Sequence, residues 1–380
     1  MRKIKIAHVT HSVGGLEIYL RLISENINSD KFENIVIHQK DEKKKRYINN
    51  KGEKLLEYKI PIQREISVLR DLLCVYETVK ILRKEKPDLI HAHSAKGGII
   101  GRLASLFYRV PVLHTPHAYS YLSASSPMAK KVYLTIEKIF RRFNSYLLAT
   151  SDSEMNRGLK EVGYKKKRVI VFKNSVLPIR KTPDTNEVFK EFNLKPNYIC
   201  TVGRPSYQKN IEMMVKVIAQ LKIVIPDIHL VVMGVGEYSP NKDSIMKMID
   251  ELDLKNNISL IEWIDREKIF TIIKESWLYI TTSRYEGLPY SIIESLALSK
   301  ACVVTECDGN VDLIEDGFNG YIVKQDDVST MVKRINKLYY EQKLRARFES
   351  NSFMVFDEIF NLEKNIPVLE SIYSRYSDIR

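Results

Sequence analysis

Short apolar runs rich in β-branched residues alternate with longer segments along the first half of the chain. In the longer segments apolar positions recur every three or four residues, which predicts amphipathic helices, whereas the short runs predict strands. The predicted strands are KIKIAHV, ENIVIH, PDLIHAH, VPVLHT, SYLLATS and RVIVFKN, and the clearest helices are SVLRDLLCVYETVKILRKEK and AKKVYLTIEKIFRRF. This alternation favours a parallel sheet that is covered by helices on both faces.

The alternation is interrupted once and then resumes. The segment NSVLPIRKTPDTNEVFKEFNLKPN contains three prolines and no strand pattern, which indicates an interdomain linker. The strands predicted after it are YICTVGR, IHLVVMG, ISLIEWI, WLYITTS, ACVVTE and GYIVK. We therefore predict an α/β protein with two doubly wound, Rossmann-like domains that face a cleft. The predicted segments are a first domain at residues 1–178, a linker at 179–195, a second domain at 196–360 and a final helix at 361–380.

The loops that follow the strands are the place to look for chemistry, because open parallel sheets bind ligands outside the carboxyl ends of their strands. Glu286 follows the strand SWLYITTS, and Pro289 suits the first turn of the helix that carries Glu294. Amides at this helix start, near Gly287, Leu288 and Tyr290, would bind an anion. Two carboxylates beside an anion pocket suit a nucleotide sugar. Alternatively, Glu294 only offsets the helix dipole and Glu286 is a solvated loop acid.

Two further loops carry candidate ligand-binding residues. In TVGRPSYQKN, Arg204 and Lys209 flank a turn between a strand and a helix, where two cations would bind a diphosphate. In HVTHSVGGLEIYL, Gly14 and Gly15 would allow a ligand to approach the backbone closely. Neither this loop nor MGVGEYSP completes the G-x-G-x-x-G pattern of a dinucleotide site, and no D-x-D triplet offers a diphosphate-bridging metal.

The loop LHTPHAYSYL carries His114 and His117, three residues apart. Two such histidines are compatible with a metal site, but no further His or Cys ligands cluster nearby in the sequence. A structural role and a catalytic role both remain open for these side chains.

Together these loops carry a family resemblance. The segments GRPSYQKN and EGLPYSIIE, the N-terminal glycine pair, HAHSAKGGIIGRLAS, HTPHAYSYL and DGNVDLIEDGFNGYIV are similar to glycosyltransferase family 4 over nearly the whole chain. The resemblance implies the two-Rossmann GT-B fold and a retaining, metal-independent transfer from a nucleotide-diphosphate sugar. It also implies that the final helix packs back on the N-terminal, acceptor-binding domain. Ser175 departs from the Asn-Gly that is usual at the interdomain turn.

The resemblance implies roles for the matching residues of the second domain. Glu286 would bind hydroxyls of the donor sugar, and Glu294 would bind the nucleotide ribose. Arg204 and Lys209 would hold the diphosphate. The backbone around the helix start would contact phosphate and sugar, through Gly287, Leu288, Pro289 and Tyr290.

In the first domain the resemblance places Gly15 beside the diphosphate or the acceptor, and His117 beside the donor sugar. The expected catalytic residues are therefore Glu286, His117, Arg204 and Lys209. No cofactor and no metal are expected beyond the nucleotide sugar, which is a co-substrate.

Charge is unevenly distributed. Residues 1–180 hold 35 Lys and Arg against 17 Asp and Glu, so the whole net charge of +13 resides in this half. The excess predicts an anionic partner, although solvated basic faces are the alternative. Basic clusters lie at residues 43–46, 141–142 and 165–168, and apolar side chains that would meet an acyl chain are Tyr119, Tyr121, Leu122 and Met128. We expect a lipid-linked or oligosaccharide acceptor and peripheral attachment to an anionic membrane.

Two other functions are compatible with parts of the sequence. A nucleotide-sugar epimerase on the same fold would need carboxylates in the first-domain loops, where Glu17 is the main acid. A nucleic-acid-binding protein is suggested by charge alone, and no aromatic residues interleave with the basic runs as RNA-binding motifs require. Four scattered cysteines and the lack of a secretory signal favour a cytoplasmic location.

Overall fold

The structure is a computed structural model that describes residues 2–11, 14–40, 45–63, 67–124, 126–236 and 239–378. The chain divides into two compact units. The N-terminal unit consists of Met1–Asn174 together with Leu362–Arg380, and the C-terminal unit consists of Ser175–Asn361.

The N-terminal unit is built on a seven-stranded sheet in the order β3-β2-β1-β4-β5-β6-β7, and all neighbouring strands are parallel. The strands are β1 (Ile4–Val9), β2 (Phe32–Gln39), β3 (Leu56–Ile60), β4 (Leu89–His93), β5 (Val112–Thr115), β6 (Ser145–Ala149) and β7 (Val169–Val171). Six of the seven are predicted from apolar runs. The sequence did not predict β3, because this edge strand mixes charged and apolar residues and only its last residue, Ile60, is buried.

Helices connect these strands as crossovers. They are α1 (Gly15–Asn26), α2 (Val68–Glu85), α3 (Ser94–Phe107), α4 (Pro127–Phe140) and α5 (Asp152–Arg157), with a π-helical turn at Gly158–Val162. The helix α4 begins where its sequence favours a start, because Pro127 occupies the first turn and the Ser126 hydroxyl accepts a hydrogen bond from the Ala129 amide. Both helices predicted from periodicity, α2 and α4, are confirmed.

The segment before α4 differs from its prediction. Tyr119 and Tyr121 do not present apolar surface for an acyl chain, because both are buried and stack on each other beside Leu147. Leu122 packs against the same cluster, whereas Met128 is exposed.

The C-terminal unit contains a second, six-stranded parallel sheet in the order β10-β9-β8-β11-β12-β13. Its strands are β8 (Ile199–Val202), β9 (Leu230–Met233), β10 (Ile258–Ile261), β11 (Leu278–Thr281), β12 (Cys302–Thr305) and β13 (Gly320–Val323), and all six are predicted. The strand order reverses between β8 and β11, which creates the switch point where doubly wound sheets bind ligands.

The helices of this unit are α6 (Thr185–Phe192), α7 (Ile211–Val224), α8 (Lys242–Glu251), α9 (Arg266–Glu275), α10 (Tyr290–Ala297), α11 (Val328–Tyr340) and α12 (Gln342–Val355). The helix α6 lies inside the segment for which the sequence predicted a linker. Its start is fixed because the Asp184 carboxylate accepts hydrogen bonds from the amides of Asn186 and Glu187, and its Val188 side chain is buried.

The last helix, α13 (Leu362–Ser377), returns to the N-terminal unit and contacts β1 and β4. Its buried residues include Leu369, Ile372, Tyr373 and Tyr376. The Tyr373 hydroxyl lies 2.7 Å from His91 Nδ1 on β4, and Glu370 accepts a hydrogen bond from the Asn28 amide. Across the described ranges, none of the helices has both the length and the apolar composition that a bilayer-spanning segment needs.

Candidate functional site

The two loops at the switch point of the C-terminal unit hold each other in place. The Arg284 amide after β11 donates a hydrogen bond to the Gln208 carbonyl after β8, at 2.8 Å. The Thr282 hydroxyl donates to the carbonyl of Asn210, also at 2.8 Å. Chain segments that are far apart in sequence therefore lie side by side at the edge where doubly wound sheets bind ligands.

Lys209 and Glu286 meet at this edge. The Lys209 ammonium lies 2.7 Å from Glu286 Oε1, and the Gln208 side-chain amide donates to Glu286 Oε2 at 3.3 Å. The Glu286 side chain is 9% exposed, so the ion pair is partly withdrawn from water. A buried carboxylate needs such partners, because an unpaired charge in the interior is strongly unfavourable.

Arg204 lies at the end of β8, on the same edge, and is half-buried. Within the part of the chain that the structure describes, its guanidinium has neither an ion-pair partner nor a hydrogen bond. The neighbouring position, Gly203, favours glycine for a steric reason, because a Cβ atom there would lie 3.2 Å from the Lys209 side chain. The edge thus contains one cation that is already paired, Lys209, and one that is available to an anion, Arg204.

Glu294 is a buried residue on α10, and the sequence did not reveal its partner. The Arg266 Nε atom at the start of α9 donates to Glu294 Oε1 at 2.8 Å, and Arg266 Nη2 contacts the same oxygen. Burial raises the pKa of Glu294, and the adjacent Arg266 opposes this shift. The neighbouring apolar side chains on this helix, Ile292, Ile293 and Leu296, are buried as well.

The turn before α10 is tightly packed. Pro289 caps the helix with an extended backbone, and the side chains of Leu288 and Tyr290 are buried. Gly309 approaches from the loop after β12, where its φ angle of 78° suits glycine and an added Cβ would come within 2.4 Å of the Gly287 carbonyl oxygen. The sequence analysis did not identify Gly309 as a site residue. Because glycine has no side chain, the two loops can make contact at this position.

In the N-terminal unit, Gly15 is the first residue of α1 and Gly14 has a positive φ angle of 61°. Ser12 and Val13, which complete this glycine loop, lie outside the described residues. The positive φ angle of Gly14 favours glycine at this position. The loop follows β1 at the switch point between β1 and β4.

His117 and His114 have different contacts. His117 follows β5 with a positive φ angle of 53°, and its Nε2 atom lies 3.2 Å from His93 Nδ1. His114 is fully buried beside the ion pair of Arg102 and Glu137, whose closest atoms are 2.9 Å apart. His114 is thus a structural residue, while His117 sits in a strained backbone of the kind found at functional sites.

The His117 loop is held by a carboxylate that the sequence did not reveal. Glu154 on α5 accepts a hydrogen bond from the Ala118 amide at 3.0 Å and another from the Thr150 amide at 2.7 Å. Ala118 also has a positive φ angle, of 78°, so Glu154 stabilises two consecutive residues in the left-handed region.

Three buried histidines, His8, His91 and His93, bring one ring nitrogen each within 4.8 Å of one another. Both ring nitrogens of each of these side chains lie within hydrogen-bonding distance of a partner in the described structure. A metal ion would require several of these bonds to be broken, so we treat the group as part of a hydrogen-bonded network.

Family models match both units. The model described as Glycosyltransferase Family 4 matches residues 13–178, and the model described as Glycosyl transferases group 1 matches residues 184–353. The chain carries both domains of a glycosyltransferase. The switch-point edge with Arg204, Lys209 and Glu286 therefore lies in the group 1 domain of a glycosyltransferase, and His117 lies in the family 4 domain.

Relatives of this glycosyltransferase act in bacterial surface polysaccharide assembly. An Escherichia coli UDP-Gal:alpha-D-GlcNAc-diphosphoundecaprenol alpha-1,3-galactosyltransferase is 27% identical over 82% of this chain and 81% of its own length. An O-antigen biosynthesis glycosyltransferase, WbnH of Escherichia coli, is 26% identical over 73% of this chain and 76% of its own length. Anabaena HepE, solved in complex with UDP-glucose, shares the GT-B fold with a TM-score of 0.81, at 19% identity over 98% of this chain and all of its own.

Proposed function

We propose that this glycosyltransferase transfers a sugar, with retention of anomeric configuration, from a nucleotide-diphosphate donor to a lipid-linked saccharide. The observation that carries the proposal is the edge where Arg204, Lys209 and Glu286 converge at the switch point of the C-terminal unit. Cations bind and neutralise a diphosphate, and a carboxylate accepts hydrogen bonds from sugar hydroxyls. HepE was solved with UDP-glucose, which supports a donor of this class.

Each candidate residue has a proposed part in donor or acceptor binding. Arg204, which has no partner among the described residues, binds the diphosphate, and Lys209 shares its charge between the diphosphate and Glu286. Glu286 accepts hydrogen bonds from the sugar. Glu294, whose Oε1 atom is held by Arg266, contacts the ribose, and the backbone of residues 287–290 lies along phosphate and sugar. His117 contacts the sugar, and Gly15 contacts the diphosphate or the acceptor.

The proposed reaction exchanges one bond at the anomeric carbon for another on the same face. The acceptor hydroxyl oxygen bonds to that carbon as the carbon–oxygen bond to the diphosphate breaks. The acceptor proton passes to the departing phosphate oxygen. Arg204 and Lys209 stabilise the charge that develops on the diphosphate, so we propose that the reaction needs no metal.

Product analysis with a panel of nucleotide sugars tests this proposal. We expect nucleotide release to depend on both the correct donor and a polyprenyl-diphosphate saccharide, to persist in excess EDTA, and to give the donor's own anomeric configuration by NMR coupling constants. An inverted linkage would refute retention, and EDTA inhibition would refute metal independence. A free, epimerised sugar without transfer would instead identify a nucleotide-sugar epimerase.

We further propose that the N-terminal unit binds the inner face of an anionic membrane. The first three turns of α2 expose apolar side chains, and its later turns expose basic ones. The apolar residues are Val68, Leu69, Leu72, Leu73 and Tyr76, and the basic residues are Lys80, Arg83 and Lys84. An amphipathic helix of this kind binds at the interface by burying its apolar face while its cations attract anionic lipid.

Other basic clusters contribute to the same proposal. Lys165, Lys166 and Lys167 are exposed, as are Arg142 and the Lys130–Lys131 pair on α4. Lys43 and Lys44 of the first cluster lie outside the described residues. Vesicle co-sedimentation across a salt series tests the attachment: we expect binding to anionic vesicles that weakens as salt screens the charges. No binding to anionic vesicles at low salt would refute it while leaving the sugar chemistry intact.

A further inference from the structure

Four side chains of the N-terminal unit form a single string of hydrogen bonds. Asn34 Oδ1 on β2 lies 3.2 Å from His8 Nε2 on β1, and His8 Nδ1 lies 3.0 Å from His93 Nε2 at the end of β4. His93 Nδ1 in turn lies 3.2 Å from His117 Nε2, in the loop after β5. The string therefore crosses the centre of the sheet and ends at the histidine that we assign to the donor sugar.

The positions of the protons along this string follow from its first atom. An amide carbonyl oxygen only accepts, so the proton between Asn34 and His8 belongs to His8 Nε2. A neutral imidazole has one donor and one acceptor, so His8 Nδ1 accepts from His93 Nε2. By the same rule His93 Nδ1 accepts from His117 Nε2, which leaves His117 Nδ1 without a proton.

We propose that this string fixes His117 in the tautomer protonated on Nε2, so that its Nδ1 atom presents a lone pair to a hydroxyl group of the donor sugar. Asn34, His8 and His93 are then positioning residues, which act through His117 without touching the substrate. The sugar as the partner rests on the function proposed above, whereas the tautomer follows from the hydrogen bonds alone.

Three observations support the assignment. His117 Nδ1 has no hydrogen-bond partner among the residues that the structure describes, so its lone pair is available. Burial lowers the pKa of His8 to about 4, and burial with a smaller effect from His114 lowers that of His117 to about 3, so both rings are neutral near pH 7. Glu154 holds the Ala118 amide and with it the strained backbone that aims the His117 ring.

A second string in the same unit provides an internal control. The Thr115 hydroxyl donates to the Leu148 carbonyl, so it accepts from His91 Nε2, at 2.9 Å. His91 Nδ1 must then accept from the Tyr373 hydroxyl, at 2.7 Å. The two strings pack side by side, with the rings of His91 and His93 centred 3.9 Å apart, but they share no hydrogen bond.

Nitrogen NMR of the full-length protein labelled on its histidine rings tests the tautomer directly. We expect His117, identified by the signal lost in His117→Asn, to show a protonated Nε2 and an unprotonated Nδ1 at pH 7. A protonated Nδ1 at His117 would overturn the proposal, because it would mean that the string runs in the opposite direction. The wild-type spectrum decides this point without any substrate or further variant.

Two variants test whether the string is the cause. Asn34→Leu removes the acceptor at the head of the string, so His117 should change to a mixture of tautomers. Tyr373→Phe interrupts only the second string and should leave the His117 spectrum unchanged. An unaltered His117 tautomer in Asn34→Leu would refute the positioning role.

Kinetics then test the consequence for the proposed function. If the string serves donor binding, kcat/KM for the donor should fall about three- to tenfold in Asn34→Leu, the effect of weakening one neutral hydrogen bond. An unchanged kcat/KM alongside a changed tautomer would refute the contact with the sugar. If no nucleotide sugar is turned over at all, the proposed function fails while the tautomer result stands.

Discussion

The two cations at the switch-point edge of the C-terminal unit differ in their surroundings. Lys209 is bound to the partly buried Glu286, whereas Arg204 has no side-chain partner in the described part of the chain. Removing Lys209 leaves a carboxylate without its counter-charge, while removing Arg204 leaves nothing unpaired. The two residues therefore affect stability differently even though both are assigned to the diphosphate.

This difference predicts distinct outcomes for two alanine variants. Arg204→Ala should lower kcat/KM about 10- to 100-fold, the effect of a charged hydrogen bond of roughly 1.5–3 kcal/mol, without changing the melting temperature. Lys209→Ala should lower activity similarly and also lower the melting temperature, because Glu286 becomes unpaired. Steady-state kinetics and thermal unfolding measure both effects. Lys216→Ala, on the exposed side of α7, is the matched control. Near wild-type activity in both variants would contradict the diphosphate assignment.

A second pair of variants distinguishes the proposed roles of Glu286 and Glu294. Glu294→Gln should raise KM for the donor about tenfold with little effect on kcat, because a ribose contact is present in the ground state and the transition state alike. Glu286→Gln should mainly lower kcat, since it contacts the sugar on which charge develops. Initial rates over a donor series distinguish the two patterns. Full transfer rates in both variants would exclude the two carboxylates from the reaction.

At the level of elements, α13 is attached to the N-terminal sheet by a buried polar contact. Tyr373→Phe removes the hydroxyl that is hydrogen-bonded to His91 Nδ1 and leaves that nitrogen without this partner. We expect the free energy of unfolding of the N-terminal unit to fall by about 1–3 kcal/mol, as measured by chemical denaturation. Tyr76→Phe, which removes a hydroxyl from an exposed tyrosine on α2, should have no effect. Equal stability of the two variants would show that the His91 contact contributes nothing.

The helix α2 gives a prediction about attachment. Its Leu69 is 84% exposed and Leu72 is 56% exposed, so neither side chain contributes much to the core of the unit. Leu69→Gln combined with Leu72→Gln should reduce binding to anionic vesicles at least tenfold. The reason is that burial of each leucine side chain in the bilayer would contribute about 1.5–3 kcal/mol to the binding free energy. Thermal stability should not fall. Ile223→Gln on α7, 81% exposed in the other unit, is the matched control and should bind as the wild type does. Equal binding by all variants would place the contact elsewhere.

For the whole molecule, the distribution of histidines predicts which unit is sensitive to acid. Seven of the eight histidines lie in the N-terminal unit, where burial lowers the pKa of His8 to about 4 and that of His114 to about 3. A lowered pKa in the folded state means that the unfolded chain binds protons first. Stability is therefore complete above about pH 6.5 and is lost as the pH falls, by about 1.4 kcal/mol per pH unit for each such histidine.

Unfolding at pH 7 and at pH 5 measures this effect unit by unit. Both tryptophans, Trp263 and Trp277, lie in the C-terminal unit, so their fluorescence reports that unit, whereas circular dichroism reports both. The unfolding transition seen only by circular dichroism should have its midpoint at a lower denaturant concentration at pH 5 than at pH 7. The midpoint of the fluorescence transition should change much less. In this pH range paired carboxylates such as Glu137, whose pKa is lowered beside Arg102, stay ionised and do not contribute. Equal shifts in both signals would contradict the role of the histidines.

The sequence alone determined the strands, the two doubly wound domains and the loops that hold the candidate residues. Twelve of the thirteen strands are apolar enough to be recognised, because a strand buried on both faces of a parallel sheet must consist of consecutive apolar residues. Edge strand β3 and helix α6 were not recognised, since the strand mixes charged and apolar residues and the helix is short and flanked by prolines.

Only the tertiary structure decided which side chains act on one another. It paired Lys209 with Glu286 and Arg266 with Glu294 across 77 and 28 residues of sequence, and it placed His117, but not His114, within hydrogen-bonding distance of His93. It also buried Tyr119 and Tyr121, which the sequence had predicted to meet a lipid chain. The physical reason is that hydropathy and spacing act locally, so they define strands and helices. Partners, burial and protonation depend on side chains that the strand order of the sheet brings together from distant parts of the chain.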